Sequence, residues 1–555
     1  MRKIIFLILV CMLFSECKKV EDTPKKNESE TKGKPFFWEG ANVYFLLTDR
    51  FNIGNPDKKK PIDRNKTTGK LRNFMGGDIA GITQKIKEGY FDKLGVNAIW
   101  MTPLMEQVHG SVDEGTGNTY AYHGYWVKDW TRLDPSFGTM KELKELVEIA
   151  HEKGIRILLD VVINHTGPVT DIDLLYPEDW VRTGPQCEFT NYENTTSCTL
   201  VANLPDLKTD SNEIVDLPPM LLEKWKKEGR LKQEVDGLNA FFKRTGYPRS
   251  PRFYIIKWLT DYIYKLGVDG FRVDTVKHTE ANVWKELYVE ASYAFEKWKE
   301  ANPDKVLDDN PFFMVGEVYG YGISGGRLFD FGNKKVDFYD NGFKSLINFE
   351  LKYDAHQDYE TVFSKYTTIL NGSLEGKSVL NYLTSHDDGE PFDKERRNYF
   401  RAANMLLLTP GASQIYYGDE SLRSLIIPET VGDATLRSFM NWEDLESNEE
   451  SKAAFEHYAK LGRFRKNHPA VGAGKHEMVS NSPYIFKRTL EKVGYKDEVV
   501  IGLDLQPGFK VLDVSGIFEE NTILKDAYSG NKIIVENGKI ATSTPHSVIL
   551  LEREE

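Results

Sequence analysis

Three observations predict a closed (β/α)8 barrel carrying an inserted subdomain after its third strand and followed by a C-terminal antiparallel β-sandwich. Strand-like and helical runs alternate from Ala41 to about residue 465, and polar residues sit just after almost every strand-like run. Beyond about residue 468 the pattern changes to short alternating runs with turn residues between them, among them SPYIFKRTL, EVVIGLDL, KIIVENGK and HSVILLE. Alternation alone also allows a doubly wound sheet; the polar strand ends favour the barrel.

From the start of the chain, MRKIIFLILVCMLFSEC has a basic tip and an apolar stretch too short for a stable membrane span, the pattern of a secretory signal. The following KKVEDTPKKNESETKGK is charged and nearly free of apolar residues, as in a disordered tether. The leader resembles that of a bacterial lipoprotein with Cys17 as the lipidated residue, although Glu16 stands where such leaders carry a small residue and Cys11 is a second candidate. Residues 1–17 are thus read as signal and 18–35 as tether.

The barrel strands are predicted from ANVYFLL, VNAIWMTP, IRILLDVVI, VDGFRV, FFMVGEV, SVLNYLTS and SQIYYG. Between the second and third, TMKELKELVEIAHEKG shows a helical stripe at Leu143, Leu146, Val147 and Ala150. About 100 residues separate Asn164 from the strand before Asp274, far more than a helix and two turns need. The expected division is barrel over 36–165 and 251–467, inserted subdomain over 166–250, and sandwich over 468–555. In an exported chain, Cys187 and Cys198, 11 positions apart in the insertion, are expected to form a disulfide.

Two acids carry the chemistry. Asp274 closes GFRVDTVKH and Glu317 closes FFMVGEVYG; both runs are short, rich in β-branched and aromatic residues and bounded by Gly or Pro, as buried strands are. The residues between them, roughly 279 to 302, have helical spacing (Trp284, Leu287, Tyr288, Ala291, Phe295, Trp298), so the two strands are parallel and their ends share one rim. Retaining glycosidases need two carboxyls about 5–5.5 Å apart, one ionised and one protonated, which adjacent strand ends can supply. Arg272, on the same strand face as Asp274, is expected to keep it ionised.

Four strand ends, DVVINH, GFRVDTVKH, GEVY and YLTSHD, occur in that order, with LPDLK in the insertion and TYAYHGYWVKDW after the second strand. Together they resemble the sequence regions of the α-amylase family of glycoside hydrolases (family 13), closest in motif style to fungal-type α-amylases. The resemblance implies Asp274 as nucleophile, Glu317 as general acid and base, and Asp387 as a third carboxylate that binds sugar hydroxyls. It implies that His165 and His386 donate hydrogen bonds to the sugar in the cleavage subsite, that Tyr125 is its aromatic platform, and that Asp433 and Arg437 contact the same sugar. Lys277 and His278 match residues lining the adjacent subsite on the leaving-group side. It further implies a structural Ca2+ held by Asn164, Asp206 and the backbone carbonyl of His278, with Glu193 and Thr196 as candidates for the unidentified fourth ligand. Two departures stand out. Ser385 replaces the family's usual Asn, and in DRFNIGNPDKKK the residues Ile53, Lys58 and Lys59 replace oxygen ligands of a second calcium loop, so that second site is expected to be lost.

The implied activity is cleavage of α-1,4 linkages in starch, glycogen or maltodextrins by double displacement. The alternatives are a 4-α-glucanotransferase or a maltodextrin- or cyclodextrin-trimming enzyme on the same fold and, from another class, a non-catalytic glucan-binding lipoprotein, which would have lost a carboxylate. With 72 Lys and Arg against 84 Asp and Glu and no long basic block, nucleic acid is excluded as a partner. The expected partner is an α-glucan; membrane contact is expected only through the lipid anchor, on an exported monomer.

Overall fold

The computed structural model describes residues 34–56, 62–492 and 494–554. The leader and tether, with Cys11 and Cys17, and the loop residues Lys58 and Lys59 lie outside the described residues. Eight parallel strands close into a barrel: β1 (Asn42–Leu46), β2 (Ala98–Met101), β3 (Arg156–Val161), β4 (Gly270–Val273), β5 (Phe313–Gly316), β6 (Ser345–Asn348), β7 (Ser378–Asn381) and β8 (Ala412–Tyr416), with β8 pairing back onto β1. Every residue of these strands is buried, because helices cover the outside and side chains fill the inside. Seven of the strands coincide with the runs picked out in the sequence. The eighth, β6, is Ser-Leu-Ile-Asn, four residues with a polar one at each end, too short and too polar to stand out as a buried run.

The helices that cover the barrel are α1 (Ile79–Lys87) and α2 (Met140–Glu152) before β3, then α5 (Pro251–Leu266), α6 (Ala281–Ala301), α7 (Tyr359–Leu370), α8 (Tyr399–Leu408) and α9 (Glu449–Asn467). In α2 the stripe Leu143, Leu146, Val147 and Ala150 is the buried face, and Thr139 with Glu142 forms a capping box at its start. Between β5 and β6 the chain makes one-turn helices and a hairpin, Leu328–Asp330 with Lys335–Asp337, in place of a covering helix.

The insertion leaves the end of β3 and contains α3 (Pro219–Lys227), α4 (Leu231–Thr245) and the two-residue ribbon of Val181–Arg182 with Asp206–Leu207. Cys187 and Cys198 are joined as a disulfide, with Cα atoms 5.0 Å apart. The loop they bound reaches the β5–β6 hairpin: Asn333 accepts from the Tyr192 backbone N–H at 3.0 Å and donates to Glu193 at 2.8 Å, and the Tyr192 ring meets Phe331 edge to face.

The C-terminal strands are β9 (Lys475–Asn481), β10 (Tyr484–Lys492), β11 (Tyr495–Leu503), β12 (Gly508–Asp513), β13 (Ile523–Asp526), β14 (Lys532–Ile534), β15 (Lys539–Thr544) and β16 (Ile549–Arg553). They form a six-stranded antiparallel sheet, ordered β9-β10-β11-β16-β13-β14, and a β12–β15 ribbon around a separate core that includes Val500, Leu512, Phe518, Leu524 and Ile549. The seam with the barrel holds two fully buried arginines that have no ion pair with a carboxylate among the described residues. Arg465 donates to the carbonyls of Leu407, Thr409 and Gly411, and Arg488 to those of Leu408 and Val471, so both serve the carbonyl end of α8.

Candidate active site

The acids meet because the barrel register puts them there. In the β4–β5 pair Val273 faces Gly316, so the next residues, Asp274 and Glu317, emerge side by side at the carboxyl rim. Across the other edge of β4, Arg272 faces Asp160 of β3. The buried guanidinium of Arg272 then contacts three carboxylates: Asp274 at 2.8 Å, Asp160 at 3.0 Å and Glu317 at 3.1 Å. Glu317 also accepts from the backbone N–H of Thr275 at 3.0 Å, a residue held at φ +49°, in the left-handed region where a non-glycine is strained.

One fixed positive charge among three buried acids does not keep all of them ionised. Burial pushes Asp274 up to about 6 against the pull of Arg272, with the charge of Asp160 adding to the rise. Glu317 is pushed up to about 8, by burial first, opposed by Arg272, and further by the charges of Asp274 and Asp387. Arg272 pulls Asp274 toward the ionised state, as expected, but it pulls Glu317 the same way, and burial outweighs it at both. Burial thus raises Glu317 further than Asp274, which favours the proton on Glu317 and the charge on Asp274. Asp160, present in the DVVINH motif but given no role from sequence, is also raised to about 6 by burial and is braced by Trp100 Nε1 and Tyr125 Oη, both 2.9 Å away. Its signal was its place opposite Arg272 in the register.

The third carboxylate, Asp387, follows β7 and is about one-third exposed, facing the cleft. Ser385 Oγ lies 3.3 Å from Asp387 Oδ1 and 3.3 Å from His386 Nδ1. The His386 ring is stacked with Tyr125, centroids 5.2 Å apart, and meets Phe45 edge to face. Arg437 donates to the carbonyl of His386 at 2.8 Å and pairs with Asp433, which Arg72 holds from its other side at 3.2 Å. No sequence signal marks Arg72, which lies far from Asp433 in the chain.

His165 differs from its expected role as a hydrogen-bond donor to sugar. Its Nδ1 lies 3.1 Å from Asn164 Oδ1 and its Nε2 3.1 Å from the carbonyl of Tyr125, so both ring nitrogens are engaged by the protein and the residue holds the platform loop. On the other side of the acids, His278 is buried with Nδ1 3.1 Å from the carbonyl of Thr195 and with Phe189 against its ring. Lys277 Nζ lies 5.2 Å from the ring centroid of Tyr319, a residue 55% exposed. The sequence signal for Tyr319 is an aromatic two residues after Glu317, in GEVYG.

The expected calcium ligands converge. The Asn164 amide lies 2.9 Å from Asp206 Oδ1 and 2.8 Å from the carbonyl of His278. The two ends of an amide are assigned from its partners. Turned with its oxygen inward, Asn164 would donate to Nδ1 of His165, leaving Nε2–H for the Tyr125 carbonyl, and three oxygens would meet in a buried corner. Separations of 2.8–2.9 Å suit oxygens sharing one cation at about 2.3–2.6 Å, so these residues fit Ca2+. Among the described residues no cluster of three His, Cys, Asp or Glu side chains could hold a metal, so this corner would combine the single carboxylate of Asp206 with an amide and a carbonyl oxygen. The candidates for a fourth ligand are corrected. Glu193 is exposed and committed to Asn333, and the Thr196 hydroxyl donates to the carbonyl of Tyr192. Arg182 lies instead 3.2 Å from the other oxygen of Asp206. In the N-terminal loop Ile53 is exposed, and Asp78 accepts from Gly54 and Gly81, capping α1.

A carboxylate trio on the carboxyl rim of a parallel barrel, two of its members side by side on one arginine, defines a glycoside hydrolase centre. Comparison with known proteins narrows the class. Residues 45–173 match the family model described as alpha amylase, catalytic domain. The chain is 36% identical over 507 residues to the periplasmic alpha-amylase of Escherichia coli (strain K12), covering 81% of this chain and 70% of that one. It is 26% identical over 518 residues to the cyclomaltodextrin glucanotransferase of Niallia circulans, spanning 90% of this chain but only 65% of that one. The alpha-amylase of Geobacillus thermoleovorans, solved in complex with acarbose, shares the fold at a TM-score of 0.64 and 20% identity, over 94% of this chain and 100% of that one. The chain belongs to the α-amylase family of glycoside hydrolases, enzymes that cleave α-1,4-glucans.

Proposed function

We propose that this chain is a retaining α-amylase that hydrolyses α-1,4 linkages of starch, glycogen or maltodextrins, with Asp274 as nucleophile and Glu317 as acid and base. The observation that carries the reading is the pair of buried acids side by side at the ends of β4 and β5, both on Arg272 at 2.8 and 3.1 Å, with burial raising Glu317 further than Asp274. In the first step a carboxylate oxygen of Asp274 bonds to C1 of the sugar as the glycosidic bond breaks, and the proton of Glu317 goes to the departing oxygen. In the second, Glu317, now a carboxylate, takes a proton from water; the water oxygen bonds to C1 and Asp274 leaves. Asp387 binds ring hydroxyls, Tyr125 stacks on the ring, and Asp433 with Arg437 closes the glycone side.

Asn164, Asp206 and the His278 carbonyl would hold a calcium ion whose charge ties the insertion to the ends of β3 and β4. The reaction needs no electrophile from it. The leader, Cys17 and the disulfide support an exported chain anchored by lipid, in keeping with the periplasmic relative. A second reading, a 4-α-glucanotransferase, is favoured by the exposed ring of Tyr319 beside Lys277, which offers an acceptor sugar a face to stack on.

A time course on amylose and maltoheptaose, followed by NMR at the anomeric carbon, tests both. Hydrolysis with retention releases shorter chains that first carry the α-anomer. Products longer than the substrate would move the assignment to transfer, and initial release of the β-anomer would remove the double displacement.

A further inference from the structure

Ser385, where the family usually carries Asn, lies between two groups of the site. Its Oγ is 3.3 Å from His386 Nδ1 and 3.3 Å from Asp387 Oδ1. A hydroxyl has one hydrogen and two lone pairs, so it donates to only one of them. A carboxylate can only accept, and hydrogen bonds to a charged acceptor are about twice as strong as neutral ones. The hydroxyl hydrogen therefore goes to Asp387, and the contact with the imidazole exists only if Nδ1 bears a hydrogen and donates to Oγ. His386 is buried beside the guanidinium groups of Arg437 and Arg272, which keeps the ring neutral with one hydrogen to place. The ring is clamped between Phe45 and Tyr125 and its backbone carbonyl is held by Arg437, so it has no freedom to turn over.

Building on the function proposed above, we infer that Ser385 is a positioning residue that relays His386 Nδ1–H to Asp387 through its own hydroxyl, fixing the imidazole in the tautomer that presents an unprotonated Nε2 to the sugar. His386 and Asp387 then both accept hydrogens from ring hydroxyls, which reverses the donor role the family resemblance implies for His386. The reversal has a catalytic consequence. As positive charge builds at C1, the ring hydroxyls become better donors, so contacts to two acceptors strengthen toward the transition state, whereas a donating imidazole would oppose that charge. An asparagine at 385 would run the same relay, its carbonyl accepting from Nδ1–H and its amide donating to Asp387, which accounts for the exchange being tolerated. Alanine has neither group.

Neutron diffraction from deuterium-exchanged crystals of the substrate-free enzyme reads the tautomer directly. Deuterium is expected on Nδ1 of His386 and on Ser385 Oγ directed at Asp387, with none on Nε2. Deuterium on Nε2, alone or together with Nδ1, overturns the inference. In kinetics, Ser385→Ala should lower kcat about 10-fold with KM nearly unchanged, the size of one lost hydrogen bond, and Ser385→Asn should recover activity to within about twofold. An alanine variant as active as wild type, or an asparagine variant as impaired as alanine, also overturns it. The neutron map is independent of turnover, so a failure of the relay is distinguishable from a wild-type enzyme that proves inactive on α-glucans.

Discussion

At the scale of single residues, the site is governed by a shortage of positive charge. Arg272 serves Asp160, Asp274 and Glu317 at once, and burial raises all three acids, Glu317 furthest. The pH profile of kcat/KM is expected to be a bell with limbs near 6, for ionisation of Asp274, and near 8, for loss of the Glu317 proton. Glu317→Gln should lower kcat on soluble starch by about 10²–10⁴-fold, the usual worth of a general acid. Activity in Glu317→Gln or Asp274→Asn equal to wild type would remove the corresponding role. The same substitution has a stability signature of defined sign. Because the folded pKa of Glu317 lies above its unfolded value, the stability this group contributes is present below about 4.5 and lost as pH rises through about 8. The melting temperature of Glu317→Gln should therefore exceed that of wild type by a margin that widens from pH 6 to 9 in calorimetry.

At the scale of elements, the strands that carry chemistry were legible because each joins a short apolar run to a polar residue at the rim. What escaped notice did so for physical reasons. The strand β6 lacks a conspicuous apolar run, and the β5–β6 connection has no covering helix to announce its rhythm. The roles of Asp160 and Arg72 depend on partners far away in sequence, Arg272 and Asp433, which only the closed barrel brings near. The corner proposed to hold calcium is likewise assembled from β3, the insertion and the turn after β4. Chelation should lower the melting temperature of the wild-type enzyme and added Ca2+ should restore it, whereas Asn164→Leu should respond to neither. The end of α8 offers a different test, since Arg465 satisfies three carbonyls from a fully buried position, where burial lowers it to about 9. Arg465→Met should cost about 2–4 kcal/mol by denaturant unfolding, because it strands those carbonyls without filling their need.

At the scale of the whole molecule, the barrel could be inferred from rhythm and the candidate site from strand ends, while the linkage that the Cys-bounded loop makes to the barrel could not. That linkage runs through the Cys187–Cys198 loop, which carries the Thr195 carbonyl to His278 and Tyr192 to the β5–β6 hairpin. Cys187→Ser should leave the barrel folded but lower stability by about 2–3 kcal/mol and raise KM for long glucans more than for short ones, measured on amylose against maltotetraose. The tie also separates when the enzyme is built from when it is finished. A disulfide closes only under oxidising conditions, so a newly made chain in a reducing cytoplasm already has its three carboxylates while the leaving-group edge of its cleft is still untied. For an exported chain, crossing into an oxidising compartment would then be the step that ties this edge to the barrel.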